Sequence, residues 1–307
     1  MRPHGSIVAA SLLFLVALGC ASTSREQGPL AVAYAERAGV VEAAAPAADV
    51  PSDGPTARTV YWCPMRGNPC DEVDYGAPGS CGTCGMALWT QARYVAYHVD
   101  LRSKQKTVGI LLYPGFEVLD VYGPVEIWGY VPEFKLITVA EQKGLVSSTQ
   151  GLSTLADYDF DDAPALDILL VPGGNGTLVE IENDALREFL RERHAVAEIT
   201  TSVCSGSFLL ARAGILDGRK ATSNKLLFAM ARQQSDRVDW IESARWVDDG
   251  ETITSSGVSA GIDMALHLVA RLYGEPRARE IAGWAEYVWN ADPDNDPFAG
   301  RALPAGN

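Results

Sequence analysis

Histidine and positive charge are both scarce in this chain. Its 307 residues include four histidines (His4, His98, His194 and His267), and none falls in a motif. A cysteine–histidine dyad, which needs an imidazole beside the thiol, is therefore not expected. Lys and Arg total 25 against 39 Asp and Glu, a formal charge of -14. Such a surface repels phosphates, so nucleic acid is not an expected partner. The apolar run from Ile7 to Leu18 has twelve residues, whereas a bilayer-spanning helix needs about 20. No internal repeat is visible. Cysteine is also rare, at six residues, but four of them are crowded into one short stretch.

What is present is globular composition: 47% hydrophobic and 21% charged residues predict a packed core. The first twenty residues pair Arg2 with the Ile7–Leu18 run and end in "ALGC". This resembles a bacterial lipoprotein signal (1–19), which implies lipidation at Cys20, a membrane tether and a place in the bacterial cell envelope. A plain secretory signal with an incidental Cys20 is the alternative. Residues 20–58, rich in Ala, Pro, Ser and Glu, read as a flexible tether.

The segment 59–92 holds Cys63, Cys70, Cys81 and Cys84 in the spacing C-x6-C-x10-C-x2-C. Glycines beside the Cys81–Cys84 pair permit a tight turn that aims two thiolates at one ion. Four thiolates suit tetrahedral zinc, with copper a competitor that the thioethers of Met65 and Met86 would favour. A segment this short cannot build a sufficient core alone, so a metal or crosslinks must hold it. Two disulfides are the alternative in an oxidising compartment. The stretch resembles a small heavy-metal-binding domain through Tyr61, Cys63-Pro64-Met65, Pro78-Gly79 and Cys81-x-x-Cys84-Gly85-Met86. Arg66 stands where that family has histidine, which leaves Cys70 as the replacement ligand.

From Lys106 the texture changes. "KTVGILLY", "LDILLVPGG" and "EITTSVC" are apolar runs bounded by turn residues, the pattern of buried parallel strands. "SGSFLLARAGIL", "AGIDMALHLVARLYG" and "PRAREIAGWAEYVW" have helical spacing, and "RWVDDGETITSS" reads as two strands around an Asp-Gly turn. The alternation predicts an α/β fold over 105–290, a mostly parallel sheet sandwiched by helices, followed by a tail at 291–307.

Ligands of such sheets bind beyond the carboxyl ends of the strands. Cys204 sits at one of those ends, and Ser202-Val203-Cys204-Ser205-Gly206 has the form of a nucleophile elbow. A helix N-terminus directly behind the thiol predicts a pKa below the ~8.5 of an ordinary cysteine. The Ser205 amide, with a second donor from the Gly173-Gly174 turn, would hold an oxyanion. A lone cysteine is more often a small buried hydrophobe, and the elbow is what argues otherwise.

Residues 106–300 resemble the ThiJ/PfpI superfamily (the DJ-one family), whose fold is flavodoxin-like and shared with class I glutamine amidotransferases. The matching pieces are "ILLYPGFEVLDVYGPVEIW", "DILLVPGG", "SVCSGSFLLARAGILDGRKAT", "SSGVSAGIDMALHLVARLYGE" and "EYVWNADPDNDPFAG". "LDVYGP", "AGID" and the late "EY…PF" point to the branch with isocyanide hydratase and related ligand-sensing domains. The resemblance implies an acid beside the thiol, four residues before a proline: Asp120, with Pro124 following. Glu117 and Glu126 match no such place. Many members carry histidine at the end of the string that reads "GRKATSNK" here, where Asn224 stands. The resemblance implies a small-molecule substrate or ligand, no cofactor in the main domain, and frequent dimerisation. Two functions stay open: a thiol enzyme acting on a small electrophile such as an isocyanide or aldehyde, and a non-enzymatic metal- or redox-sensing lipoprotein.

Overall fold

A computed structural model describes residues 59–64, 73–103 and 105–301. The signal, the tether, Cys20 and Cys70 lie outside the described residues. The chain divides into two compact units, one ending at Tyr94 and the other beginning at Val95. No helix among the described residues is long and apolar enough to cross a membrane.

The first unit is built on very little regular structure. Strand β1 (Tyr61–Trp62) pairs antiparallel with β2 (Trp89–Thr90), and Tyr61 also bridges Tyr75. Between them the chain turns at the Cys81–Cys84 pair, closed by Cys81 N–H to Met86 O at 2.8 Å and Gly85 N–H to Cys81 O at 2.9 Å. Gly85 has φ +74, a conformation that glycine adopts without steric cost. The division between units falls within helix α1 (Gln91–Ser103).

The second unit carries a six-stranded sheet. Its strands are β3 (Lys106–Leu111), β4 (Phe134–Val139), β7 (Ile168–Val171), β8 (Ile199–Ser202), β11 (Trp246–Asp248) and β12 (Thr252–Ser255). A separate hairpin, β5 (Gly144–Ser147) with β6 (Ser153–Ala156), and a short pair, β9 (Lys220–Ala221) with β10 (Asp239–Trp240), complete the strands. The order across the sheet is β11-β12-β8-β7-β3-β4. All neighbours run parallel except the β11–β12 hairpin at one edge, where Trp246 faces Ser255. Every residue of β7, β8 and β12 is buried, so both faces of the sheet are covered, as an apolar parallel sheet requires.

The covering helices fall into two packed groups. One comprises α2 (Val118–Gly129), α7 (Ala260–Tyr273) and α8 (Glu275–Trp284); the other comprises α3 (Thr177–Glu180), α4 (Asp184–His194) and α5 (Gly206–Arg212). A short helix α6 (Phe228–Arg232) follows β9. Trp128 is wholly buried where α2 meets α7, and its Nε1–H donates to Ala265 O at 3.2 Å. Gly274, with φ +91, ends α7 as the stop signal predicts. The expected tail is not a loose appendage as far as residue 301: the Asp296 side chain is buried, and Arg245 N–H donates to Pro293 O at 2.6 Å.

Candidate functional site

Strand β8 ends at Ser202 and α5 begins at Gly206, so Cys204 occupies the sharp turn between them. Its φ of +59 is left-handed, a strained value for a residue with a side chain. Three hydrogen bonds hold it there. Cys204 N–H donates to Ser256 O at 3.0 Å, and its carbonyl accepts from Ser207 Oγ at 3.1 Å and Ser223 Oγ at 3.0 Å. Gly206 lets the elbow close, since a Cβ there would lie 2.2 Å from Val171 O.

Asp120 reaches the same place from the first turn of α2. Pro124, one helical turn later, has no N–H to offer the Asp120 carbonyl. The Asp120 carboxyl is fully buried. Its Oδ2 accepts from Gly173 N–H at 2.8 Å. Its Oδ1 finds no close hydrogen-bond partner, and the carboxyl's other polar interaction is with the Cys204 thiol. Burial, reinforced by the charge of Glu117, pushes this carboxyl up to about 8. At neutral pH it keeps its proton.

The thiol is surrounded by donors. Asn224 Nδ2 lies 3.0 Å from Sγ, and the backbone amides of Ser205 and Val258 also point to the sulfur. Val258 achieves this with a left-handed φ of +45. The expectation of a lowered thiol pKa is nonetheless overturned. Burial first, then the charge of Asp120, pushes Cys204 up to about 12 against these donors. A helix of seven residues has a weak dipole, and desolvation of a thiolate outweighs it. The resting thiol is protonated and only 6% exposed.

Ser205 and Gly174 are both at the elbow; the Ser205 amide faces the sulfur, whereas the Gly174 amide is turned to another partner. Gly174 N–H donates to Ser205 Oγ at 3.2 Å. Ser205 Oγ meets Thr177 Oγ1 at 3.0 Å, which meets Tyr113 Oη at 2.9 Å. Tyr113 gives its hydrogen to Pro172 O at 2.7 Å, so each hydroxyl along this buried chain donates toward the tyrosine. The Gly174 amide is thereby committed, and the donors at the sulfur are Ser205, Val258 and Asn224. Sequence reasoning noticed Asn224 only as a missing histidine and gave no signal for Val258, which contributes through its backbone.

A cavity of about 240 Å³ is walled by Asn224, Gly257 and Val258 among others. Asn224 and Val258 are also two of the donors that face the Cys204 sulfur, which does not itself line the cavity. A larger one, about 480 Å³, includes Tyr113, Phe160 and Asn183 but none of Cys204, Asp120 or Asn224. Neither cavity is lined by Cys204 or Asp120; the smaller one is linked to the thiol through Asn224 and Val258.

The arrangement is a thiol on an elbow, a protonated acid and converging amides, at the carboxyl edge of a parallel sheet. Residues 106–271 match the family model for the DJ-1/PfpI family. The chain belongs to the DJ-1/PfpI family. Among its relatives, an isonitrile hydratase from Pseudomonas putida is 34% identical over 202 residues, covering 62% of this chain and 85% of that enzyme. An HTH-type transcriptional regulator, GbdR from Pseudomonas aeruginosa, is 29% identical over 58% of this chain but only 49% of the regulator. The crystal structure of a ThiJ/PfpI family protein from Pseudomonas syringae superposes with a TM-score of 0.56 at 36% identity, covering 64% of this chain and 79% of that one. The flavodoxin-like α/β fold of the family is thus the fold of this domain.

In the first unit, the Sγ atoms of Cys63, Cys81 and Cys84 lie within 4.8 Å of one another. Cys63 and Cys84 are 3.6 Å apart, close to the ~3.8 Å edge of a tetrahedron whose metal–sulfur bonds are ~2.3 Å. Cys63 and Cys81 are buried and Cys84 is exposed. Three of the four expected ligands therefore fit one soft ion; the fourth, Cys70, lies outside the described residues.

Proposed function

We propose that the DJ-1/PfpI domain hydrates a small electrophile of the isocyanide class, with Cys204 as nucleophile and Asp120 as proton carrier. The observation that carries this reading is a buried thiol and a carboxyl with a raised pKa at one elbow, together with the 34% identity to an isonitrile hydratase. As sulfur bonds to the terminal carbon of R–N≡C, Asp120 delivers its proton to that carbon and takes up the thiol proton. The net result is addition of S–H across the carbon, giving a thioimidate R–N=CH–S. Water then adds to the same carbon, the C–S bond breaks, and the sulfur recovers a proton. The product is the formamide R–NH–CHO. Three donors, the Ser205 and Val258 amides and Asn224 Nδ2, stabilise negative charge developing near the sulfur. No cofactor enters this scheme.

The same proposal extends to the remaining regions. A lipid on Cys20 would hold the chain at the bacterial envelope, with the domain extracytoplasmic. Cys63, Cys70, Cys81 and Cys84 would hold one zinc or copper ion, which closes a segment too small to fold on its own core. The domain would act as a monomer or a homodimer.

The test is steady-state hydration of a panel of isocyanides by the full chain, with formamide quantified. Turnover that falls at least about 100-fold in both Cys204→Ser and Asp120→Asn supports the mechanism. No turnover of any isocyanide or aldehyde by protein with an intact thiol would refute it. One observation favours a second reading in that event: the thiol is held protonated and 6% exposed. Such an enclosed, unionised thiol suits a lipoprotein that binds a ligand at the elbow without turnover, with the Asp120 proton as a hydrogen-bond donor.

A further inference from the structure

One wall of the 240 Å³ cavity comes from the segment after Asp296. Phe298 and Arg301 line it together with Asn224, Val258, Ser259 and Lys225. A buried polar cluster fixes that segment. Asp296 lies between Lys225 Nζ at 3.5 Å and Arg245 Nη1 at 3.8 Å, and its own side chain is fully buried. Arg245 is held in turn by Asp263, which also accepts from Tyr287 Oη and Asn290 N–H, each at 3.0 Å. Beyond Asp296, Phe298 N–H caps onto its Oδ1 at 3.0 Å and Arg301 N–H reaches Phe298 O at 3.2 Å. The segment is therefore a built wall of the cavity.

Its charge is unusual for this protein. The chain carries a net charge of -14, yet no lining residue of this cavity is acidic. Its two cations differ. Lys225 is committed to Thr222 Oγ1 at 2.6 Å, Ala244 O at 2.7 Å and Asp296. Arg301 rests its guanidinium on the Phe298 ring at 4.7 Å, and no carboxylate pairs with it among the described residues. Arg301 is exposed at the rim of the cavity and Phe298 is 40% exposed; a guanidinium stacked on a ring keeps its fork of donors free to receive a carboxylate. Asn224 joins the two ends of the site, lining the cavity while its Nδ2 touches Cys204 Sγ at 3.0 Å. The volume, about 240 Å³, is room for a compact molecule.

We infer that the preferred ligand of this site is a small anionic electrophile, whose carboxylate is held by Arg301 while its reactive carbon lies against Cys204. The inference rests on the proposed thiol chemistry for the reactive end and on the cavity alone for the anionic end. The experiment separates the two. Isocyanoacetate and its neutral counterpart isocyanoacetamide are compared as substrates, and the ratio of their kcat/KM values is measured. The full chain should favour the carboxylate about tenfold, the low end of what a hydrogen bond to a charged group contributes. Arg301→Gln should bring the ratio near one, and Arg301→Lys should restore part of it. In parallel, Cys204→Ser protein is titrated calorimetrically with N-formylglycine and N-formylglycinamide, which need no turnover. Tighter binding of the carboxylate, lost in Cys204→Ser/Arg301→Gln, upholds the anion site even if no isocyanide is hydrated. Equal kcat/KM values, or equal affinities where nothing turns over, would overturn it and leave the thiol chemistry to its own test.

Discussion

Replacing Asp120 with asparagine should shift stability in the variant's favour as pH rises. The carboxyl titrates at 3.8 in an unstructured chain and at about 8 in its buried place. Above pH 3.8 the unfolded chain has released this proton, while the folded chain keeps it until about pH 8. The folded state binds the extra proton, so its stability falls as pH rises through this window. At ~1.4 kcal/mol per pH unit, going from about pH 5 to about pH 8 removes at most about 4 kcal/mol. Local relaxation and water entry reduce such ceilings, and about 2 kcal/mol is the expected effect. Asparagine has no titrating proton and escapes the loss. Its extra N–H₂ replaces an O–H and carries its own burial cost, but that cost does not change with pH. Urea unfolding of the full chain and of Asp120→Asn, followed by circular dichroism across this range, reads the difference. The stability gap should move toward the variant by about 2 kcal/mol as pH rises. A gap that changes by less than about 0.5 kcal/mol would show that Asp120 ionises normally, and the proton-carrier role would fall with it.

Iodoacetamide should modify Cys204 slowly at neutral pH and faster as pH climbs, because burial and Asp120 hold the thiol up to about 12; fast labelling at neutral pH would contradict this. Asn224→Ala removes the donor 3.0 Å from Sγ and should raise the thiol pKa further, read as slower labelling at any fixed pH. Gly206→Ala places a Cβ 2.2 Å from Val171 O and should destabilise the domain by at least about 2 kcal/mol, measured as a lowered unfolding midpoint. A chelator should strip one zinc or copper ion per full chain, detected by elemental analysis, while leaving the main thermal transition nearly unchanged. Loss of that ion in Cys81→Ser or Cys84→Ser would support the thiolate site, and metal-free protein from reducing purification would refute it.

Short-range pattern in the sequence carried much of this architecture. Apolar runs of strand length announced β3, β7 and β8, because a strand buried on both faces cannot alternate. Asp249-Gly250 announced the β11–β12 hairpin, and Gly274 the end of α7. The elbow at Cys204 was legible because small residues must flank so tight a turn. The expectations omit β4, whose Lys135 and half-exposed pattern belong to a sheet edge. They also omit α4, although Asn183 caps it through Leu186 N–H at 3.2 Å and Leu186, Phe189 and Leu190 form its buried stripe.

The properties of the site were decided by tertiary structure. A thiol's pKa depends on how completely water is excluded and on which charge lies across the contact, and neither is local in sequence. The elbow predicted a thiolate; burial and Asp120, delivered by a different helix, make it a thiol. The direction of a backbone amide is set by φ and ψ, so the Val258 donor and the committed Gly174 amide leave no mark on residue identity. Asn224 reads in sequence as a histidine's absence, and only the fold brings its amide to the sulfur. Arg301 stands near the chain's end, in a stretch that composition assigns to a tail. The burial of Asp296 between Lys225 and Arg245 turns that stretch into a wall of the cavity.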